Sequence, residues 1–125
     1  MTGLKFKAFF KVDGRIYEVL SIDFANKEAT LWDKETAVNF EASFGEIELM
    51  QYTGRNDVNG VEIYDGDIVK FYSGEGQKPI KGIVEFDDNS CLYACEVGDY
   101  IYPFMTTFGF EVIGNIYENP NLEIK

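Results

Sequence analysis

The sequence contains no histidine, two cysteines and three prolines among its 125 residues. Without histidine it cannot form the Ser-His or Cys-His pairs that activate nucleophiles in many hydrolases. Histidine-rich metal hydrolases are excluded for the same reason, and two cysteines alone cannot complete a four-ligand zinc site. No glycine-rich phosphate loop of the Walker or Rossmann type is present. We therefore expect a non-enzymatic protein with no catalytic residues, no metal and no cofactor.

Carboxylate-pair catalysis is the one option that residue inventory leaves open, because spacing alone does not exclude it. Glu85, Asp87 and Asp88 are the nearest candidates. They stand beside a predicted turn, where solvated side chains are the simpler expectation. No motif in this stretch carries a mechanism, so the prediction of a non-enzymatic protein stands.

Long apolar segments are also missing. No run approaches the roughly 20 residues that a helix needs to cross a bilayer. The N-terminal residues lack the apolar region of a signal peptide. We therefore expect a cytoplasmic protein that does not enter a membrane.

Positive charge is scarce. The chain has 22 acidic and 11 basic residues, for a net charge of −11. Residues 1–50 carry 9 acidic and 6 basic residues, a net of −3, and residues 51–125 carry 13 and 5, a net of −8. This excess of negative charge disfavours binding to nucleic acid, because contact with phosphates requires clustered Lys and Arg. It also disfavours binding to anionic membranes.

The two cysteines, Cys91 and Cys95, are four residues apart. On a strand they would share a face but lie about 13 Å apart. A disulfide needs Cα atoms within about 7 Å. The pattern therefore favours two small buried side chains without a disulfide.

What is abundant is β-forming sequence, with 11 Phe, 8 Tyr and an aromatic share of 16%. Asn59-Gly60 predicts a type I′ hairpin turn between a strand over 47–52 and a strand over 61–64, with Val61 and Ile63 on one face. Asp65-Gly66-Asp67 predicts the next turn, before a buried strand over 68–71.

The N-terminal part reads as a β-meander. Strands are predicted over 4–10, 15–24 and 29–32, with a hairpin turn at Asp13-Gly14. Lys34–Phe40 fits either a loop or another short strand. Ser43 and Glu46 have the spacing of a capping box, which predicts a single helical turn before the strand at 47.

The C-terminal part predicts short strands separated by turns: 80–86, 91–97, 100–104 and 111–117. Tyr72–Pro79 predicts a flexible loop. Pro103 places the aromatic strand 100–104 at an edge or a bulge. The fold prediction is all-β, with a smaller N-terminal β-meander lobe over 1–50 and a small SH3-like barrel over 51–125.

Several motifs together resemble the YopX family of small proteins encoded by bacteriophages and prophages. They are Met50–Gly54, Asn59-Gly60, Glu62–Val69 and the closing segment Glu111–Pro120. Ser43-Phe44 with Glu46–Leu49 also fits, so the resemblance covers nearly the whole chain. The family usually has a Leu- and Lys-rich connector after Tyr-Thr-Gly, where this chain has Arg55–Val58. The resemblance implies a β-rich fold and a phage origin, and it brings no catalytic residues.

These features predict a protein that acts by binding another protein of the host or phage, or by forming a homo-oligomer. The candidate interaction patch is acidic and aromatic: Asp65, Asp67, Glu85, Asp87, Asp88, Tyr100 and Tyr102. Two alternatives stay open. One is an SH3-like or OB-like nucleic-acid module that stacks bases on five aromatic side chains, although a hydrophobic core is the simpler interpretation of them: Tyr100, Tyr102, Phe104, Phe108 and Phe110. The other is an acidic decoy that binds a DNA-binding protein in place of phosphates.

Asp57, Asp65 and Asp67 allow a further pair of interpretations. Carboxylate oxygens suit a hard cation. The simpler interpretation is that these residues accept hydrogen bonds from nearby backbone N–H groups in turns. The absence of an EF-hand pattern favours the turn interpretation.

Overall fold

The computed structural model describes residues 4–72, 78–104 and 106–122. Within these ranges the chain folds into antiparallel β-strands and one short 3₁₀ turn, which confirms the all-β prediction. The strands are β1 Phe6–Phe10, β2 Arg15–Asp23, β3 Glu28–Asp33, β4 Val38–Ser43, β5 Ile47–Asn56, β6 Glu62–Tyr64, β7 Asp67–Phe71, β8 Ile80–Asp87, β9 Leu92–Val97, β10 Tyr100–Pro103 and β11 Glu111–Asn115. The chain divides into two compact units, Met1–Tyr52 and Thr53–Lys125, and the division falls inside β5.

The first unit is an antiparallel meander with the strand order β4-β3-β2-β1-β5. This order confirms the predicted meander and adds β5, which returns alongside β1. The stretch from Lys34 resolves into a turn followed by β4. The core of the first unit consists of small and branched side chains with one tyrosine: Ala8, Tyr17, Ala29, Leu31, Ala42 and Ile47.

The predicted single helical turn is confirmed as a 3₁₀ turn over Phe44–Glu46. The Glu46 carboxylate accepts a hydrogen bond from the Ser43 backbone N–H at 2.9 Å. That bond satisfies a donor that a helical start leaves without a partner. The turn then delivers the chain into β5.

The second unit contains a five-stranded antiparallel sheet with the order β10-β9-β8-β7-β11. Among the described strands this order does not close on itself, so the SH3-like barrel is not confirmed. β10 is an end strand, as Pro103 predicts. The core of the unit lies on one face of this sheet: Ile63, Val69, Phe71, Val84, Cys95 and Phe110.

The turn at Asn59-Gly60 differs from the prediction. Gly60 has φ +81°, but Asn59 stays outside the positive-φ region that a type I′ turn requires. The Gly60 N–H instead donates to the Asp57 carbonyl, and the Asp57 N–H donates to the Val61 carbonyl. Three residues form the loop, with glycine last. Val61 lies before β6 and is exposed, whereas Ile63 lies within β6 and is fully buried, so only Ile63 contributes to the core.

The cysteine prediction is wrong for one of the two residues. Cys91 precedes β9, has φ +57° and is exposed. Cys95 is buried inside β9, as predicted, and both are free thiols. The predicted loop over Tyr72–Pro79 lies largely outside the described residues, since 73–77 are not among them.

Candidate functional site

Two of the predicted acidic residues belong to one group on the second unit. Glu85 lies on β8 opposite Ala94, and Glu96 is two residues further along β9, so both carboxyl groups share a face. A hydrogen bond between them, followed by partial burial and the charges of Glu96 and Asp65, raises the pKa of Glu85 to about 7. Glu85, Glu96 and Asp65 therefore form an acidic group in which Glu85 keeps its proton up to near neutral pH.

This group makes the stability of the protein depend on pH. The pKa of Glu85 rises from 4.5 to about 7 on folding, so the folded state binds an extra proton between these values. The contribution of Glu85 to the free energy of unfolding is therefore fully present below pH 4.5 and is lost as the pH rises through about 7. Glu85→Gln should remove this dependence of stability on pH. The free energy of unfolding involved is less than about 1 kcal/mol, because solvent screens this exposed side chain. Urea unfolding at several pH values measures it, with Asp99→Asn as control. Parallel curves for wild type and Glu85→Gln would contradict it.

The remaining acidic residues of the predicted patch have local structural partners or lie in turns. Asp67 is only 6% exposed, and its carboxylate accepts the Tyr64 backbone N–H at 2.8 Å. Asp87 accepts the Ser90 hydroxyl at 2.7 Å, and this bond lowers the pKa of Asp87. Asp88 follows in the exposed turn between β8 and β9. Asp67 is thus committed to a buried turn and is not presented at the surface.

The two tyrosines of the predicted patch lie on the other face of the sheet. Tyr102 is opposite Cys95, whereas Glu96 is opposite Ile101. Tyr100 and Tyr102 stack with ring centroids 5.7 Å apart. Tyr102 also contacts the core ring of Phe71, but Tyr100 is 70% exposed. The predicted patch is therefore divided between two faces that meet at the edge strand β10.

Asp57 follows the turn interpretation. Its carboxylate accepts three backbone N–H groups: Asn59 at 2.8 Å, Val61 at 2.9 Å and Val112 at 2.9 Å. Burial by itself raises the pKa of Asp57, and the three bonds together lower it below its ordinary value. The third bond joins the central turn to β11. Asp57 is a structural carboxylate.

A second candidate site surrounds Arg55 on β5. The guanidinium carbon lies 5.3 Å from the ring centroid of Phe104, 4.9 Å from Phe108 and 5.2 Å from Phe110. One nitrogen donates to the Phe104 carbonyl at 2.5 Å. Burial lowers the pKa of Arg55, and no carboxylate in the described part of the chain offsets this effect.

Next to this group is a cavity of about 350 Å³, here called the Arg55 cavity. Its lining comes from the end of β5, the start of β9 and the residue after β10: Thr53, Gly54, Arg55, Leu92, Tyr93 and Phe104. The Thr53 hydroxyl donates to the Ile63 carbonyl at 2.8 Å, which fixes one wall. The lining is mostly apolar, with a single positive charge.

The Arg55 cavity is not evident from the sequence. Arg55 is one of two arginines and follows Thr53-Gly54 in the stretch richest in motifs. A rare arginine in that position is the one feature of the sequence that indicates a site here. The aromatic residues that surround it were identified only as a core or a base-stacking set. They come from a segment about 50 residues away, so local patterns do not join them to Arg55.

The described residues contain no group of three or more Cys, Asp or Glu side chains placed to hold a metal ion. In the same ranges, no helix has the length and apolar character that crossing a membrane requires.

Two solved structures are similar over almost their whole length. Protein EF1440 from Enterococcus faecalis matches with a TM-score of 0.65 and 24% identity, over 98% of this chain and 99% of that chain. Protein yopX from Bacillus subtilis matches with a TM-score of 0.65 and 24% identity, over 95% of this chain and 97% of that chain. At this identity the likeness concerns the fold. No curated protein matches the sequence.

The sequence profile described as YopX protein matches residues 5–123, which is nearly the whole chain. The match agrees with the motifs noted from the sequence and with the folds of the two similar structures. On these grounds the chain belongs to the YopX family.

Proposed function

We propose that this YopX-family protein is a non-enzymatic binding domain that acts through a host or phage protein in the host cytoplasm. The observation that carries the proposal is the edge strand β10 of the second unit. β10 pairs with β9 on one side, and no described strand lies on its other side. Such an edge accepts an extended segment of another protein as an added strand along Tyr100–Tyr102, since Pro103 has no N–H group to donate.

The side chains of β10 support this use. Tyr100 and Ile101 are 70% and 43% exposed, and they point to opposite faces of the sheet. A segment added to β10 would contact the stacked tyrosines on one face. On the other face it would lie near Ile101 and Glu96. Alternating contacts of this kind give an added strand its specificity.

Charge narrows the class of partner. Residues 51–125 carry a net charge of −8, and Glu85 and Glu96 lie on the face of β9 that borders Ile101. A basic, extended segment complements this surface, and its association should weaken as salt rises. A DNA-binding protein with a basic, extended segment would fit this surface. The acidic-decoy hypothesis is therefore one version of the proposal.

The test is affinity capture from nuclease-treated host lysate with three matched baits: wild type, Tyr100→Ser and Tyr72→Ser. Tyr72 is an exposed tyrosine of the same unit outside β10, so its replacement controls for loss of an aromatic surface. We expect one protein to be retained by wild type and Tyr72→Ser and to be lost with Tyr100→Ser. Retention should fall between low and physiological salt.

Other outcomes distinguish the alternatives. Equal retention by all three baits would contradict a role for β10. A parallel capture from untreated lysate tests the nucleic-acid module, which would be favoured by a protein retained there and absent after nuclease treatment. Sedimentation of the pure protein at high micromolar concentration tests self-association. A dimer that Tyr100→Ser abolishes would identify the partner as a second copy of the chain.

A further inference from the structure

We propose that the Arg55 cavity is a binding site for a carboxylate carried on an aromatic or apolar body. This site is separate from the β10 edge and does not depend on the function proposed for it.

Arg55 has an unusual environment for an arginine in this protein. The other arginine, Arg15, pairs with Glu35 at 2.8 Å, and two lysines, Lys11 and Lys70, also pair with carboxylates. Within the described ranges Arg55 has no carboxylate partner, although 13 acidic residues lie in 51–125. The guanidinium donates one hydrogen bond within the described ranges, to the Phe104 carbonyl, so several of its N–H donors have no partner among these residues.

The surrounding rings prepare Arg55 for a ligand. Phe104, Phe108 and Phe110 all lie within 5.3 Å of the guanidinium carbon, so the group is held in place by cation–π contacts. A cation removed from part of its water and fixed in position binds an anion more strongly than a mobile surface side chain does. The planar fork of arginine matches both oxygens of a carboxylate.

The cavity walls select what the carboxylate is attached to. Apart from Arg55, the lining offers the side chains of Leu92, Tyr93 and Phe104, together with the short side chain of Thr53 and the backbone of Gly54. None of these residues is acidic. A volume of about 350 Å³ lies at the small end of known ligand pockets and suits one aromatic or branched group.

Charge excludes larger anions. One guanidinium balances one negative charge, and the net charge of −11 opposes the approach of polyanions. A phosphate dianion or a nucleic acid is thus a poor match. Two sources of the fitting chemistry remain, a free small acid and the C-terminal residue of a protein.

The experiment is an NMR titration of the isotopically labelled full chain with N-acetyl-phenylalanine. The matched probe is N-acetyl-phenylalaninamide, which has the same body and no charge. We expect saturable shifts of the backbone signals of residues 53–55 and 92–93, and at least about 10-fold weaker binding of the amide. No saturable shift, shifts elsewhere, or equal affinity for both probes would overturn the proposal.

Substitutions test whether Arg55 supplies the positive charge that binds the carboxylate. Arg55→Gln should weaken binding about 10-fold or more, while Arg15→Gln, the same change at a paired surface arginine, should have no effect. Should Arg55→Gln disturb the fold, Leu92→Glu decides the question. Leu92 is partly exposed and lines the cavity, so a carboxylate there should occupy Arg55 and block the probe. Unchanged binding by folded Arg55→Gln or by Leu92→Glu would refute the site.

The two sources are separated with a short peptide that ends in phenylalanine, with a free or an amidated C-terminus. Tighter binding of the free-ended peptide than of N-acetyl-phenylalanine identifies a protein C-terminus as the ligand. Equal or weaker binding of the peptide identifies a small free acid. Either result keeps the carboxylate site and assigns its occupant.

Discussion

Replacing Gly82 with alanine is expected to lower the free energy of unfolding by roughly 2–4 kcal/mol. Gly82 lies inside β8, where a Cβ atom would come within 2.4 Å of the Cys95 sulfur, 2.6 Å of the Glu96 carbonyl oxygen and 2.7 Å of a Val97 methyl. Two of these atoms belong to side chains, but the Glu96 oxygen is backbone. Relief of the clash therefore requires β8 and β9 to move apart.

Chemical denaturation of Gly82→Ala measures this effect. Gly45→Ala is the control, because a Cβ there meets nothing closer than the Ser43 hydroxyl at 4.0 Å. Its free energy of unfolding should stay within about 0.5 kcal/mol of wild type. The double variant with Cys95→Ala removes one of the clashing atoms and should not restore full stability, since the carbonyl remains. Wild-type stability in Gly82→Ala would show that the strands separate at no cost.

Replacing Asp57 is the second change with a large expected effect. Asp57→Ala removes the acceptor for the N–H groups of Asn59, Val61 and Val112. Asp57 is only 8% exposed, so the N–H groups around it are shielded from water. Leaving these donors without an acceptor lowers the stability of the folded state. We expect a loss of roughly 2–4 kcal/mol in the free energy of unfolding. Asp57→Asn should also destabilise, since its NH₂ group would face a backbone donor.

The pH dependence of unfolding provides an independent check on Asp57. Its pKa is lowered on folding, so the stability it contributes is present above the ordinary pKa of an aspartate and is lost as the pH falls through the folded value. Asp57→Asn should flatten this acid limb of the stability profile. Asp88→Asn, at an exposed turn, should change neither the stability nor the limb. An acid limb of unchanged steepness in Asp57→Asn would argue against the assignment.

Turn and capping chemistry could be predicted from sequence because it acts over a few residues. The positive φ values of Gly14, Gly60 and Gly66 follow from the backbone freedom of glycine at those turns. The capping spacing of Ser43 and Glu46 correctly predicted a single turn. The position of Pro103 predicted an edge strand or a bulge, because proline has no N–H group to donate across a sheet, and β10 is an edge strand.

The acidic and aromatic patch was only partly predictable. Composition revealed the excess of negative charge, but the side chains of neighbouring residues on a strand point to opposite faces. The register between β9 and β10 sets Tyr102 opposite Cys95 and Ile101 opposite Glu96. That register is a property of the folded sheet, and it separates the tyrosines from Glu85.

By itself, the sequence determined the all-β class, the N-terminal meander, most turn positions and the YopX resemblance. Each depends on residue types within a few positions of one another. Tertiary structure alone decided which distant groups meet: Asp57 with Val112 across 55 residues, and Arg55 with Phe104 across 49. It also decided that Gly82 has no room for a side chain. Such contacts form only when separate strands pack, and local propensities do not encode that packing.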